Sequence, residues 1–291
     1  MWVLMKTITG HKMTPDQFRD ISYNKDAAGI VTLTFNTPKR KNALSMYSFY
    51  EVYCAVDMFE KDDSAYAMII TGAVAEGDKP EKEAYSSGGY FNPDALDGVP
   101  EATVQLLDPS DIAQKRTTLK MYQCDKPIIA AVNGLAIGGA FTLTFAGCDQ
   151  IYLSENAWVQ LPFSKLSLCP ELASSFLLPR LLGMHRTKEL IYFAEKLSAQ
   201  QAVALQLANK VVPHDELMTY ARGKAMQLIP PDGASLAIRE MKKLLHAPLI
   251  DDVSHALDRE NEALNKLTKS DDFMEGLMAR IERRPAVYKG A

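Results

Sequence analysis

The sequence predicts an α/β fold with a helical tail, and three observations carry that expectation. β-Type runs at 30–35 (IVTLTF), 67–71 (AMIIT) and 127–132 alternate with helical spacing through the first part of the chain. From about residue 173 onward the apolar pattern is mostly helical. The strongest punctuation, Pro230-Pro231-Asp232-Gly233, divides a β/α core over 15–229 from a helical region over 230–291.

Taken in order, the strand at 30–35 ends at the Asn36-Thr37-Pro38 turn. Ser45 is placed to cap a helix running to about Glu60, with Tyr47, Tyr50, Val52 and Val56 among its apolar positions. After the strand at 67–71, residues 72–98 are rich in Gly, Pro and charge and read as a long loop of the kind that carries function. A helix over much of 110–123 precedes the buried strand 127–132; a helix over 139–147 and strands at 149–153 and 158–161 follow. Helices are then expected at 173–182, 185–194, 198–207, 214–229, 233–245, 252–268 and 271–283, with a short strand at 210–212.

Composition narrows the function. With 291 residues, 47% hydrophobic and 23% charged, the chain can bury a large core without disulfides or metal. A net charge of −4 offers nothing to nucleic acid or an anionic membrane. Cys54, Cys124, Cys148 and Cys169 form no C-x-x-C pair, and the five histidines are scattered, so no metal site is expected. Residues 128–148 carry no charge and could span a bilayer by length. Asn133-Gly134 interrupts them, however, and a buried strand, a turn and a buried helix explain them better. The apolar stretch in the first 13 residues is too short for a signal peptide, and the C-terminal Lys289-Gly290-Ala291 is not an S-K-L address. Cytoplasm is the default compartment, with peroxisome or mitochondrion open.

Two glycine-rich turns stand out: Ser86-Ser87-Gly88-Gly89 and Asn133-Gly134-Leu135-Ala136-Ile137-Gly138-Gly139. Adjacent glycines let a ligand approach the backbone, and a glycine pair opening a helix aims free amides at negative charge. Neither turn matches a dinucleotide fingerprint or a P-loop.

The order N-x-P-x-x-x-N-A-L (Asn36 to Leu44), S-S-G-G, K-P-x-I-A-A-V-N-G-x-A-x-G-G (Lys126 to Gly139) and Cys148-Asp149 resembles the enoyl-CoA hydratase/isomerase (crotonase) superfamily over roughly residues 20–285. The resemblance implies a spiral of ββα units with a helical C-terminal region used for oligomerisation and part of the CoA site. It implies a homotrimer or a pair of trimers, and an acyl-CoA thioester as substrate with no further cofactor. It also implies oxyanion amides at Gly89 and Gly139. Both glutamates of the hydratases are replaced, by Thr142 and Phe163. The segment Leu161-Pro162-Phe163 through Leu168-Cys169-Pro170-Glu171 is instead similar to the Δ3,Δ2-enoyl-CoA isomerase branch, in which one glutamate shuttles the proton. Glu171 matches it, although Leu172 stands where those enzymes have glycine and Tyr90 where aspartate is common.

Substrate contacts are therefore expected from Lys39, Arg40, Lys41, Ser87, Phe163, Leu168, Leu172 and Arg283. Competing readings are a hydratase or dehydratase, for which a glutamate of the 76–83 loop is a remote second acid, and a non-catalytic acyl-CoA-binding homologue.

Overall fold

Strands pair into two sheets, and the helices cover them. The computed structural model describes residues 13–108 and 115–291. The first 12 residues and positions 110–114 of the helix expected at 110–123 lie outside the described residues.

In chain order the elements are β1 (Ile21–Lys25), β2 (Ile30–Phe35), α1 (Met46–Lys61), β3 (Ala67–Gly72), β4 (Ala84–Ser86), α2 (Glu101–Val104), α3 (Thr117–Gln123), β5 (Ile128–Val132), β6 (Leu135–Ile137) and α4 (Gly139–Gly147). There follow β7 (Gln150–Ser154), β8 (Trp158–Gln160), α5 (Ser174–Leu182), α6 (Met184–Phe193), β9 (Leu197–Ser198), α7 (Ala199–Ala204), β10 (Lys210–Val212), α8 (Leu217–Met226), α9 (Ser235–His246), α10 (Ile250–Leu267) and α11 (Asp271–Glu282).

The larger sheet runs β1-β2-β3-β5-β7-β10, with β1 antiparallel to β2 and the other pairs parallel. The smaller runs β4-β6-β8-β9, antiparallel only between β8 and β9. The strands β1, β4, β6 and β9 were not expected from the sequence. β4 and β6 have three residues each and β9 has two, too few for a period of two to register. The helix expected at 198–207 is shorter, ending at Ala204, and the first residues of the one at 214–229 form a 3₁₀ turn.

β3 and β5 are buried along their whole length, as central strands of a parallel sheet must be. Their side chains alternate between two cores. Met68, Ile70, Ile128 and Ala130 meet α1 and α4 through Val52, Val56, Phe59 and Phe141. Ala67, Ile69, Ile129 and Ala131 meet α8 through Leu217, Ala221 and Ala225. A third cluster joins Leu119 and Tyr122 of α3, Phe176 of α5 and Val253, Ala256 and Leu257 of α10. That cluster docks the helical tail against the core. The uncharged stretch from 128 to 148 is distributed over β5, β6 and α4, and among the described residues no helix is long and apolar enough to cross a membrane.

Buried polar groups tie the layers together. Lys126 sends its ammonium to the carbonyls of Phe59 (2.8 Å) and Asp62 (2.7 Å), closing the C-terminus of α1. Ser45 caps α1 at the other end by accepting from the Ser48 amide at 3.1 Å. Glu51, in the middle of α1, accepts from the amides of Arg19 (2.7 Å), Asp20 (2.8 Å) and Ile21 (3.1 Å), which anchors the start of β1.

Burial pushes the Glu51 carboxyl from 4.5 up to about 7 despite those three donors, and the Asp20 charge adds to the rise. The folded chain therefore keeps a proton that the unfolded chain has released between pH 4.5 and 7. The stability this proton contributes is complete below pH 4.5 and is lost as pH rises through 7. Glu51→Gln is expected to flatten the fall in melting temperature across that window. A shift of this size corresponds to on the order of 3 kcal/mol. Parallel slopes for the two proteins would show that Glu51 does not titrate there.

Candidate active site

Each glycine pair divides its work between its two members. Gly88 (φ +90°) and Gly138 (φ +52°) take backbone conformations that side chains rarely adopt. Gly89 and Gly139, next in each pair, provide close approach. A Cβ on Gly89 would lie 2.6 Å from the Phe91 ring, and one on Gly139 would lie 2.8 Å from Oε1 of Glu171. Gly139 is the first residue of α4, where amides have no intrahelical acceptor. Around Gly89, the Leu44 amide donates to the Gly88 carbonyl (2.8 Å) and the Tyr90 amide to the Leu44 carbonyl (2.9 Å). That pattern passes over the Gly89 amide.

The first turn is clamped by the N-x-P-x-x-x-N-A-L segment. Buried Asn42 accepts from the Thr37 amide (3.0 Å) and donates to the carbonyls of Ala73 (2.8 Å) and Ala84 (2.7 Å). The Ser87 amide donates to the Lys41 carbonyl at 2.9 Å. The second turn is held from behind. Asn133 accepts from the Gly72 amide (3.1 Å) and donates to Glu83 (2.9 Å). Glu83 also meets Nε2 of His214 (3.2 Å), whose Nδ1 meets the Ser154 hydroxyl at 2.9 Å. This serine–histidine–glutamate relay has the outline of a nucleophilic triad, but Ser154 is fully buried and none of the three lines the cavity. It braces the Asn133 turn and occupies Glu83; Glu76 and Glu81, the other glutamates of the 76–83 loop considered above, are exposed and do not line the cavity.

Gly89, Gly139, Glu171 and Leu168 line one cavity of about 360 Å³, within the range of small-ligand sites. Leu44, Met46, Phe49, Tyr90 and Phe91 complete one side; Asn261, Leu264, Asn265, Thr268 and Phe273, from α10 and α11, complete the other. Among the described residues that line it, Glu171 is the one carboxylate.

Glu171 sits on a strained turn. Leu172 (φ +57°) and Ala173 (φ +65°) are both left-handed, each at a cost of about 1–3 kcal/mol for a residue with a side chain. The position after the glutamate favours glycine for this reason; here Leu172 is fully buried, and its packing offsets the strain. Ser174 closes the turn by donating its hydroxyl to the Glu171 carbonyl (2.6 Å) and accepting from the Glu171 amide (3.1 Å). Glu260 on α10, a position with no motif around it, accepts from the amides of Ala173 and Ser175, each at 2.8 Å. Burial pushes its carboxyl up to about 7 against the pull of the Ser175 and Ala173 donors, and the nearby Glu171 charge adds to the rise.

The other expected contacts separate. Phe163 and Leu172 are both buried in the main core and neither lines the cavity, although Leu172 Cδ1 comes within 3.5 Å of where a Gly139 Cβ would lie. Arg40 turns inward: its guanidinium pairs with Asp20 (2.7 Å) and lies over the Tyr90 ring at 4.4 Å. Burial opposes ionisation of Asp20, but the Ser48 hydroxyl and both arginines, Arg19 and Arg40, hold it below the usual range. Lys41 binds Asp78 (2.6 Å) and the Lys82 carbonyl (2.9 Å). Arg40 and Lys41 are thus engaged in holding the loop. Lys39 is exposed on the same loop, Ser87 is half-buried in the turn after β4, and Arg283 is exposed at the end of α11. Thr142 is buried and donates to the Gly138 carbonyl at 3.2 Å. Tyr85 is a core residue bonded to Thr144. Burial raises the Cys169 thiol to about 11, and the Glu260 and Glu171 charges add to it, which leaves it a poor nucleophile.

The family model described as Enoyl-CoA hydratase/isomerase matches residues 25–291. A probable enoyl-CoA hydratase of Rhodobacter capsulatus is 29% identical over 90% of this chain and 95% of its own length. A carnitinyl-CoA dehydratase of Salmonella paratyphi A is 31% identical over the same shares, 90% and 95%. The crystal structure of an enoyl-CoA hydratase/isomerase from Pseudoalteromonas atlantica superposes with a TM-score of 0.77 at 25% identity, covering 93% of this chain and all of that one.

The Glu260 bonds make the turn a stability element. Glu260→Leu leaves two buried amides without their acceptor and is expected to destabilise the fold by about 2–4 kcal/mol in denaturant unfolding. Glu260→Gln, which keeps an acceptor, should lose less than half of that. A Glu260→Leu protein as stable as the parent would mean that the turn is held by other groups.

Proposed function

The chain belongs to the enoyl-CoA hydratase/isomerase family, and within it we propose that it moves a double bond from C3 to C2 of an enoyl-CoA. The observation that supports this reading is the solitary acid: Glu171 is the one carboxylate among the described residues lining the cavity that holds Gly89 and Gly139. The thioester carbonyl accepts hydrogen bonds from the amides of Gly89 and Gly139, which form an oxyanion hole and acidify the C2 proton. Glu171 takes that proton, and the negative charge spreads over the dienolate, with its oxygen facing the two amides. The same carboxyl group returns the proton at C4, so the double bond ends between C2 and C3 and no atom is gained or lost. One such amide contributes about 3 kcal/mol to the barrier reduction.

Hydration needs carboxylates to activate and hold water. The two positions that would supply them carry Thr142, committed to the Gly138 carbonyl, and buried Phe163. A hydratase or dehydratase is the second reading, favoured by the names of the relatives at 29% and 31% identity.

On the nucleotide side, Lys39 meets CoA phosphate from its loop and Arg283 does so from the cap of α11; that both are exposed supports this reading. Leu236, Leu244 and Leu245 of α9 are each more than 70% exposed, which supports a homotrimer, or a pair of trimers, buried through the helical region. Cytoplasm is the default compartment.

Mixing the protein with a 3-enoyl-CoA should produce the conjugated 2-enoyl thioester. Glu171→Gln should lower kcat by at least a thousandfold while still binding the ester. Hydration of a 2-enoyl-CoA without isomerisation would install the second reading, and ester binding with neither reaction would indicate a non-catalytic homologue.

A further inference from the structure

The wall that α10 and its C-terminal cap contribute to the cavity carries three polar side chains beside Leu264, where the facing wall is mostly apolar. Asn261, Asn265 and Thr268 stand at i, i+4 and i+7, on one helical face, and all three line the cavity. Opposite them are Leu44, Met46, Phe49 and Leu168. The register along the helix is known, because Glu260, the residue before Asn261, bonds the amide of Ala173 in the Glu171 turn. Asn261 therefore stands at the end of the stripe nearest the base. Asn265 is one turn further along, about 6 Å. Thr268 lies close to another turn beyond.

A plain hydrocarbon chain would cover these groups and offer them nothing, and a buried amide without a partner disfavours the complex. The Thr268 hydroxyl donates to the Leu264 carbonyl at 2.9 Å. Its oxygen can then only accept from a ligand, whereas the Asn265 amide both donates and accepts. A ligand hydroxyl matches both at once, donating to Thr268 and accepting from the Asn265 amide. No lysine or arginine is among the described lining residues, so nothing in the wall favours an acidic chain end.

Resting on the acyl-CoA reading above, we propose that the preferred substrate carries a hydroxyl group on its acyl chain, beyond the reacting carbons, where Asn265 and Thr268 receive it. Asn265 and Thr268 are the specificity-determining residues, and Asn261 positions the chain between them and Glu171.

The test is equilibrium binding of saturated, unreactive acyl-CoA esters of one chain length, unsubstituted or carrying a single hydroxyl at successive carbons beyond C4. At least one hydroxylated ester is expected to bind about tenfold more tightly than the unsubstituted one. In Asn265→Leu, an exposed position whose replacement leaves the core untouched, that preference should disappear, with the unsubstituted ester binding more tightly because the amide it covered is gone. Equal binding of all the esters, or a preference that survives in both Asn265→Leu and Thr268→Val, overturns the hydroxyl assignment and leaves the acyl-CoA reading standing. Failure of every ester to bind overturns both.

Discussion

The carboxylate of Glu260 holds the amides of Ala173 and Ser175, and the turn that presents Glu171 depends on it. Two consecutive left-handed residues with side chains would relax if nothing opposed them. The opposition comes from a helix almost ninety residues away in the chain, itself docked through Val253, Ala256 and Leu257 onto α3 and α5. The tail is therefore part of the site twice over. Its buried glutamate braces the turn that carries Glu171, and the face beside that glutamate forms a wall of the cavity.

The two glycine turns obey a different constraint. Each needs one residue at positive φ and a second with no side chain, and each is held in place by an asparagine. Asn42 fixes the first turn through backbone groups at three separate points, and Asn133 joins the second to the Gly72 amide and to the Glu83–His214–Ser154 relay. Both asparagines are buried, and each uses its Oδ1 as acceptor and its Nδ2 as donor, which explains why an amide is used there. A closely packed frame of this kind brings two glycines, Gly89 and Gly139, to the cavity wall.

Charge is used mainly for structure around the loop between β2 and α1. Arg40 satisfies Asp20 and covers Tyr90, and Lys41 satisfies Asp78. Tyr90 also donates to Asp94 at 2.8 Å, so the aromatic ring that replaces an acid beside Gly89 is fixed at both ends. The cation run at 39–41 is thus one exposed lysine and two anchored residues, a distinction that depends on partners 20 and 37 positions away.

The sequence by itself determined the α/β class, the strands β2, β3, β5 and β7, the long helices and the two glycine turns. Their signals are local: runs of β-branched residues, helical spacing, a capping serine, adjacent glycines. It also singled out Glu171, because a whole segment around it carries a pattern. Only the tertiary structure decided which of the other candidates face the cavity. Phe163 and Leu172 look like pocket residues by position and are core residues by packing, while Phe91, Asn261, Asn265 and Thr268 line the pocket. Glu260 was illegible for the same reason. On α10 it reads as one more charged helix position, and its function lies in two hydrogen bonds to amides that are distant in the chain and adjacent in space.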